Sequence, residues 1–110
     1  MSGIRRLRFR EAALADVEAA VRWYAEHAGD AVVDGFLAEL EAAYAHIARH
    51  PATGSPRWAH ALGLEGLRAW PLSRFGHLVF YAEREGTIEV WRVLHGARDM
   101  AAALSGPEAG

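Results

Sequence analysis

The sequence predicts an α+β fold: a short N-terminal strand, an antiparallel helical hairpin, a three-stranded antiparallel meander and a short C-terminal helix, in that order. In the first half of the 110 residues, apolar side chains recur every three or four positions, which is typical of amphipathic helices. In the second half, three short segments rich in aromatic and branched residues are separated by turn residues, which is typical of strands. This length predicts one domain over residues 1–104, followed by a frayed tail over 105–110.

The spacing of the apolar residues changes after residue 10, and this change predicts a strand followed by a helix. Residues 4–10, IRRLRFR, alternate in character and predict a strand with Leu7 and Phe9 facing inward. Helix one is predicted over 11–27, because its apolar residues then recur at intervals of three and four. This apolar stripe consists of Leu14, Val17, Val21 and Tyr24.

The second helix is predicted from the residues that bound it. Gly29 is expected to end helix one in a left-handed conformation, and the Asp30 side chain is expected to accept hydrogen bonds from the first free amides of helix two. Pro51 ends helix two, because the residue before a proline is disfavoured in the helical region. The connection is so short that the two helices must pack antiparallel. The predicted seam of helix two is Val33, Leu37, Leu40, Tyr44 and Ile47, widened by Phe36 and Ala43.

The rest of the chain predicts a loop and then a meander. Residues 51–65 contain two prolines and two glycines, and predict a loop with about one turn of helix. Pro71 fits the first strand of the meander only if that strand lies at an edge or if Pro71 is among its final residues, because proline cannot donate a hydrogen bond to a neighbouring strand. A short helix is expected over 97–104. The three predicted strands span 66–72, 77–84 and 87–96.

Both faces of the predicted meander are apolar, although one helical hairpin can cover only one of them. The second face must therefore be covered by the tail helix, by another subunit or by a partner. In the middle strand, the alternation places Leu78 and Phe80 on one face of the sheet, and Val79 and Tyr81 on the other face. In the last strand, it assigns Ile88, Val90 and Leu94 to one face, and Trp91 and Val93 to the other.

Composition excludes several classes of protein. The chain contains no cysteine, so it has no disulfide framework and fits a reducing compartment. Four arginines stand where a secretory signal needs apolar residues, and no membrane-spanning stretch is present, which predicts a cytoplasmic protein. His46 and His50 have the spacing of a zinc helix but lack the adjacent glutamate and a third ligand. The nucleotide-binding and serine-hydrolase motifs are absent as well, so neither a metal nor a cofactor is expected.

The charge is distributed unevenly. A net charge of −2 argues against nucleic-acid binding by bulk counterion release, and no sequence-specific binding is expected either. Residues 1–10 carry four arginines and no acid, whereas residues 11–50 carry two arginines and eight acids. The helical hairpin is therefore acidic and the strand before it is basic.

One group of residues could carry chemistry. Residues 66–82 contain no acid, and the last strand ends with further basic residues. Guanidinium groups beside an imidazole and a phenol suit a metal-free site that binds and cleaves a phosphodiester by general acid/base catalysis. The same residues also admit a structural interpretation, with the arginines solvated, the tyrosine in the core, and the last two residues of the group anchoring the tail helix. The group consists of Arg68, Arg74, His77, Tyr81, His95 and Arg98.

The sequence resembles the RelE/ParE superfamily of toxins from type II toxin–antitoxin systems, from about Leu7 to Leu104. The run FREAALADVEAAVRWYAEHAG, the GLR that opens a strand, the FY of the next strand and the closing VLHGARD carry this resemblance. The ending VLHGARD is similar to the ParE branch. The RelE branch usually has a basic, lysine-containing tail with a late tyrosine or histidine.

The resemblance implies the fold derived above and two partners. One is a ParD-like antitoxin, whose C-terminal segment would fold onto the second sheet face and the hairpin groove. The other is DNA gyrase, which ParE-like proteins commonly poison without chemically altering the DNA, so that the protein would be an inhibitor. The residues that match family positions are Arg68 of GLR, Tyr81 of FY, and His95 and Arg98 of VLHGARD. The target contacts are predicted at Arg68, His95 and Arg98, together with Arg74, which lies outside these matched motifs. The antitoxin contacts are predicted at Arg5, Arg6, Arg8, Trp91 and Val93.

Two alternatives stay open. A RelE-like protein would cleave messenger RNA on the ribosome, and Arg68, Arg74, Tyr81 and His95 would then be the catalytic candidates. The lack of lysine and of a basic tail disfavours that activity. A chain that binds an antitoxin but has no toxicity is the third hypothesis.

Overall fold

The computed structural model of the protein describes residues 3–96 and Asp99. The predicted α+β class is confirmed. Strand β1 (Arg6–Phe9) precedes helices α1 (Glu11–His27) and α2 (Asp30–Arg49). A single 3-10 turn (Pro51–Thr53) and a short helix α3 (Arg57–Leu62) lead to the three remaining strands. These strands are β2 (Leu67–Pro71), β3 (His77–Arg84) and β4 (Thr87–His95). Among the described helices, none is long and apolar enough to cross a membrane.

The four strands form one mixed sheet in the order β1-β4-β3-β2. Strands β2, β3 and β4 are the predicted antiparallel meander, and β1 lies parallel to β4, with Leu7 opposite Ile88. Both β1 and β2 are edge strands. The edge position of β2 accommodates Pro71, as the sequence predicts.

The helical hairpin covers one face of the sheet and forms the main core with it. This core includes Phe36 and Ile47 of α2, which pack against Val79, Tyr81 and Val90. Most residues of the two predicted helix stripes face the core. One residue in each helix is exposed instead, next to a buried neighbour. Leu14 is 55 % exposed beside buried Ala13, and Leu37 is 41 % exposed beside buried Phe36.

The predicted cap at Asp30 is wrong. Asp30 is the first residue of α2, and its side chain makes no capping hydrogen bond. Gly29 takes the capping position with φ 98°, a conformation that other residues rarely adopt. The backbone N–H groups of Ala28 and Gly29 both donate to the carbonyl of Tyr24, at 2.8 and 2.9 Å, and the His27 Nδ1 lies 2.9 Å from the Trp23 carbonyl, so α1 ends without a contribution from Asp30.

The predicted faces of the last strand are wrong after Trp91, because β4 contains a β-bulge. Phe80 pairs with Arg92 and Tyr81 pairs with Val90, so Trp91 is an additional residue on β4. The extra residue reverses the alternation after it. Val93 therefore joins Val90 in the core under the helices, and Leu94 lies on the opposite face.

The second apolar face is partly covered by a segment that the sequence predicts to be mostly loop. Trp58 and Leu62 of α3, together with Leu64, pack against a cluster that includes Leu67 and Phe80. The predicted helix over 97–104 lies outside the described residues, apart from Asp99. The domain limits at 104 and 105 also stay predictions.

Candidate functional site

Arg68 and Tyr81 face each other across β2 and β3 and together hold the turn at residues 51–54. The Tyr81 hydroxyl donates to the Pro51 carbonyl at 2.7 Å and accepts from the Gly54 N–H at 3.0 Å. The Arg68 guanidinium donates to the Gly54 carbonyl at 2.7 Å. A Cβ atom at Gly54 would collide with the Tyr81 hydroxyl, which explains the glycine.

The chemistry available to Tyr81 is limited by this environment. The side chain is fully buried, and burial raises the pKa of its hydroxyl. Its donor and one acceptor position are used by the 51–54 turn. In the folded chain this phenol is thus a structural anchor and has no access to a ligand. Arg68, half-buried beside it, serves the same turn.

Arg74 lies in the turn between β2 and β3, and α2 fixes this turn. Glu39 accepts hydrogen bonds from the Ser73 hydroxyl, from the Ser73 N–H at 3.1 Å and from the Arg74 Nε at 3.2 Å. The Ser73 hydroxyl is the main cause of the lowered pKa of Glu39. The Arg74 side chain remains 65 % exposed despite its ion pair. The turn therefore presents one guanidinium to solvent from a defined position.

His77 and His95 pair where β3 begins and β4 ends. Their ring centroids lie 5.2 Å apart, with the ring planes nearly perpendicular. His77 is buried, and its Nδ1 lies 3.1 Å from the Phe75 carbonyl. The backbone N–H of His95 donates to Asp99 Oδ2 at 2.8 Å. A Cβ at Gly76, where φ is 76°, would come within 3.0 Å of His95 Nε2, so His95 packs tightly under the turn.

The predicted catalytic candidates consequently form two groups. Arg68 and Tyr81 hold the 51–54 turn, whereas His95 and Arg74 lie near the β2–β3 turn. Tyr81 lies four positions after His77 on β3, which is about 13 Å along a strand. Arg98 lies outside the described residues. Separately, His46 stacks on Trp70 at 3.9 Å, and its Nε2 lies 2.8 Å from the Thr53 hydroxyl.

The predicted antitoxin residues also fall into different places. Val93 is 2 % exposed in the core under the helices, so it cannot belong to a docking surface, and the bulge at Trp91 is the reason. Arg5 forms an ion pair with Glu83, at 2.5 Å. Arg6 and Arg8 are exposed, and the strand register places them on the sheet face away from the helices.

That face carries a cluster of guanidinium groups around one aromatic ring, which we name the arginine face. The Arg10 guanidinium carbon lies 4.0 Å from the centroid of the Trp91 ring, and that of Arg84 lies 5.9 Å away. Glu89 accepts from Trp91 Nε1 at 3.1 Å and from Arg10 at 3.2 Å, and the Arg10 hydrogen bond is the main cause of its lowered pKa. The arginine face comprises Arg6, Arg8, Arg10, Arg84 and Trp91.

An apolar groove of about 690 Å³ is bounded by α1, α2 and the end of β1. Acidic side chains of α1 stand beside its apolar lining, which includes the exposed residues Phe9 and Leu14. The sequence predicts a binding groove in the hairpin, but its periodicity assigns these apolar residues to faces turned towards the core. The unusual exposure of Leu14 depends on the rotation of α1, which the periodicity does not specify. The apolar lining consists of Phe9, Leu14, Ala15, Val17, Leu40 and Tyr44.

Comparisons with known proteins agree with the fold described above. A family model described as the ParE toxin of the type II toxin–antitoxin system parDE matches residues 7–100. A solved structure described as the chromosomal ParDE toxin–antitoxin system from P. aeruginosa is similar to this chain, with a TM-score of 0.71 and 17 % sequence identity. The match covers 86 % of this chain and 98 % of that one. No curated protein matches. The family match spans most of the chain, which therefore belongs to the ParE toxin family of type II toxin–antitoxin systems.

Proposed function

We propose that this ParE-family toxin arrests replication in the bacterial cytoplasm by binding DNA gyrase, and that a cognate ParD-like antitoxin neutralises it. The observation that carries the proposal is the burial of Tyr81. A ribonuclease that used this phenol would need its hydroxyl at the substrate, but the hydroxyl is bonded to the 51–54 turn. Inhibition by binding requires no such group.

Arg74 is the residue through which we expect the target to be engaged. Its guanidinium is exposed, while Glu39 and Ser73 limit the motion of the turn that carries it. A charged group held in this way loses little conformational entropy when it binds a partner. Arg68, His95 and Arg98 remain the other proposed target residues, with Arg68 and His95 supporting the two turns rather than standing free.

The antitoxin is expected to use the apolar groove and the arginine face. The groove exposes apolar side chains that a lone protein would otherwise leave in water, which is typical of a protein–protein interface. The arginine face would add charge complementarity to an acidic segment. An unfolded antitoxin tail could contact both surfaces as it orders.

The test is to induce the chain alone in bacteria and to follow the incorporation of labelled thymidine and labelled methionine over the first minutes. DNA synthesis should stop first. If protein synthesis stops first, ribosome-dependent cleavage is the function, and if neither stops, the chain is a non-toxic binding module.

Arg74→Ala should relieve the arrest, because it removes the exposed guanidinium while Ser73 still bonds to Glu39. Arg57→Ala, which removes an exposed arginine from α3, is the matched control and should remain toxic. Purified variants should retain their antitoxin affinity. An equally toxic Arg74→Ala variant would contradict the proposed role of Arg74.

A further inference from the structure

Strand β1 offers an open backbone edge. The Arg10 N–H donates towards β4, to the Val90 carbonyl at 3.0 Å, whereas the Arg5 N–H donates in the opposite direction, to the Ala48 carbonyl at 2.9 Å. Backbone groups alternate in direction along a strand. The N–H and C=O groups of Leu7 and Phe9 therefore point away from β4, along the free edge of the sheet.

The two sides of this edge have different chemistry. On one side lie Arg6 and Arg8, which continue into the rest of the arginine face. On the other side lies Leu7, packed against the core, and Phe9, which lines the apolar groove and contacts the Tyr44 ring at 5.0 Å. Side chains of any strand added to β1 would also alternate between these two sides.

We propose that the antitoxin segment bound here is an extended strand that pairs with the free edge of β1 and carries acidic side chains in alternation with apolar ones. This inference rests on the antitoxin part of the proposed function and specifies the chemistry of the bound segment. The acidic residues lie over Arg6 and Arg8, and the apolar residues lie towards the groove. Main-chain hydrogen bonds to Leu7 and Phe9 supply affinity, as in other cases of strand addition.

The arginines also determine which partners the edge accepts. Like charges opposite each other oppose the pairing of two copies of β1, a common protection of edge strands. An acidic strand is instead attracted to Arg6 and Arg8. The same two arginines therefore disfavour self-association and favour an acidic partner.

A nucleic acid fits this surface less well than an acidic strand does. Its bases would need an open aromatic face, whereas Arg10 already lies over the ring of Trp91. It also has no backbone amides or carbonyls to pair with the strand edge.

The experiment uses the purified protein and a fluorescein-labelled peptide, acetyl-EVELEVE-amide, with binding followed by anisotropy. The control peptide, EEEEVLV, has the same composition but separates the acidic and apolar residues. We expect the alternating peptide to bind about tenfold more tightly, because only its register satisfies both sides of the edge. Equal affinities would overturn the proposal, since bulk charge would then explain binding. Failure of both peptides to bind would overturn it too.

Charge-reversal variants locate the site. The double variant Arg6→Glu and Arg8→Glu should weaken binding about tenfold. The double variant Arg22→Glu and Arg57→Glu makes the same change of charge at exposed positions elsewhere and should alter binding less than about twofold. Equal losses in the two double variants would overturn the proposal. So would tight binding of a 20-base-pair DNA duplex, in place of the peptide, that depends on Arg6 and Arg8.

Amide hydrogen exchange tests the pairing itself. The bound peptide should slow exchange at Leu7 and Phe9 about tenfold, whereas the Arg8 amide, which already faces β4, should change little. Unchanged exchange at Leu7 and Phe9 would refute strand addition even if the peptide binds. These measurements are independent of gyrase: a chain that fails to stop DNA synthesis can still bind the peptide, and a toxic chain can fail to do so.

Discussion

Among the charged side chains, we expect the loss of Asp16 on α1 to destabilise the fold most. Its carboxylate accepts two hydrogen bonds from Arg92, at 2.8 and 2.9 Å, and a third from the backbone N–H of Val93, at 2.9 Å. These hydrogen bonds raise the pKa of the Arg92 guanidinium. Asp16 therefore connects α1 to β4 immediately after the bulge at Trp91.

The magnitude follows from what each substitution leaves unpaired. In Asp16→Ala, the N–H of buried Val93 loses its acceptor, which costs about 1–3 kcal/mol. The ion pair itself adds less than about 1 kcal/mol, because the Arg92 side chain is 44 % exposed. We expect Asp16→Ala to lower the free energy of unfolding by about 2–3 kcal/mol and the Tm by about 10 °C or more. Arg92→Ala should cost only about 0.5–1 kcal/mol, since Asp16 still serves Val93.

Urea denaturation of the two single variants and of the double variant measures this difference. The double variant should resemble Asp16→Ala, since removing Asp16 already eliminates the pair with Arg92. Glu18→Ala is the control on the same helix: its contact with Arg22 is 4.0 Å long and highly exposed, so the change should be close to zero. The reasoning fails if Arg92→Ala costs as much as Asp16→Ala, or if neither costs more than Glu18→Ala.

Three further outcomes are expected. Tyr81→Phe should lower the free energy of unfolding by about 1–2 kcal/mol, seen in thermal melts, because the 51–54 turn loses its hydroxyl partner; growth arrest in the host should persist, and its loss in a folded variant would favour the nuclease hypothesis. Burial, with a smaller contribution from Asp16, raises the pKa of Tyr44 to about 12. The unfolded chain then loses this proton first, so stability should fall as the pH rises from about 10 to 12. The fall should be less than about 2 kcal/mol, because solvent screens the half-buried side chain, and urea titrations of Tyr44→Phe should show a smaller fall. Leu14→Glu places a charge in the apolar groove at an exposed position, so co-purification with the antitoxin should weaken. The free energy of unfolding from thermal melts should stay within about 0.5 kcal/mol of that of the parent. Unchanged co-purification would exclude the groove as an antitoxin site.

The elements of the fold were predictable because local chemistry determines them. Proline and glycine mark the ends of α1 and α2, and the change from a period near 3.6 to a period of two separates helices from strands. The bulge at Trp91 was not predictable, because an inserted residue leaves the local pattern apolar on both sides. It reverses the faces of Val93 and Leu94, and only pairing with β3 reveals it.

The candidate site shows a similar division. Residue types identified Arg68, Arg74 and Tyr81, but not their roles, because the partners of these side chains are distant in sequence. Tyr81 and Arg68 bond to the backbone of the 51–54 turn, which no side-chain motif encodes. The exposed lining of the apolar groove depends on the rotation of α1 about its axis. Because alanines lie beside the larger apolar residues of α1, the sequence does not determine which of two adjacent residues, such as Ala13 or Leu14, faces the core.

The parallel pairing of β1 with β4 also has a consequence for the timing of synthesis. Leu7 must wait for Ile88, about 80 residues later, before its strand can dock. At typical translation rates this takes roughly 4–16 s. Until then β1 lacks its neighbour, and the edge on which the proposed antitoxin strand depends does not exist as a rigid template. An antitoxin that recognises this edge would therefore capture the toxin only after β4 has been made, and chains that end before β4 would not consume it.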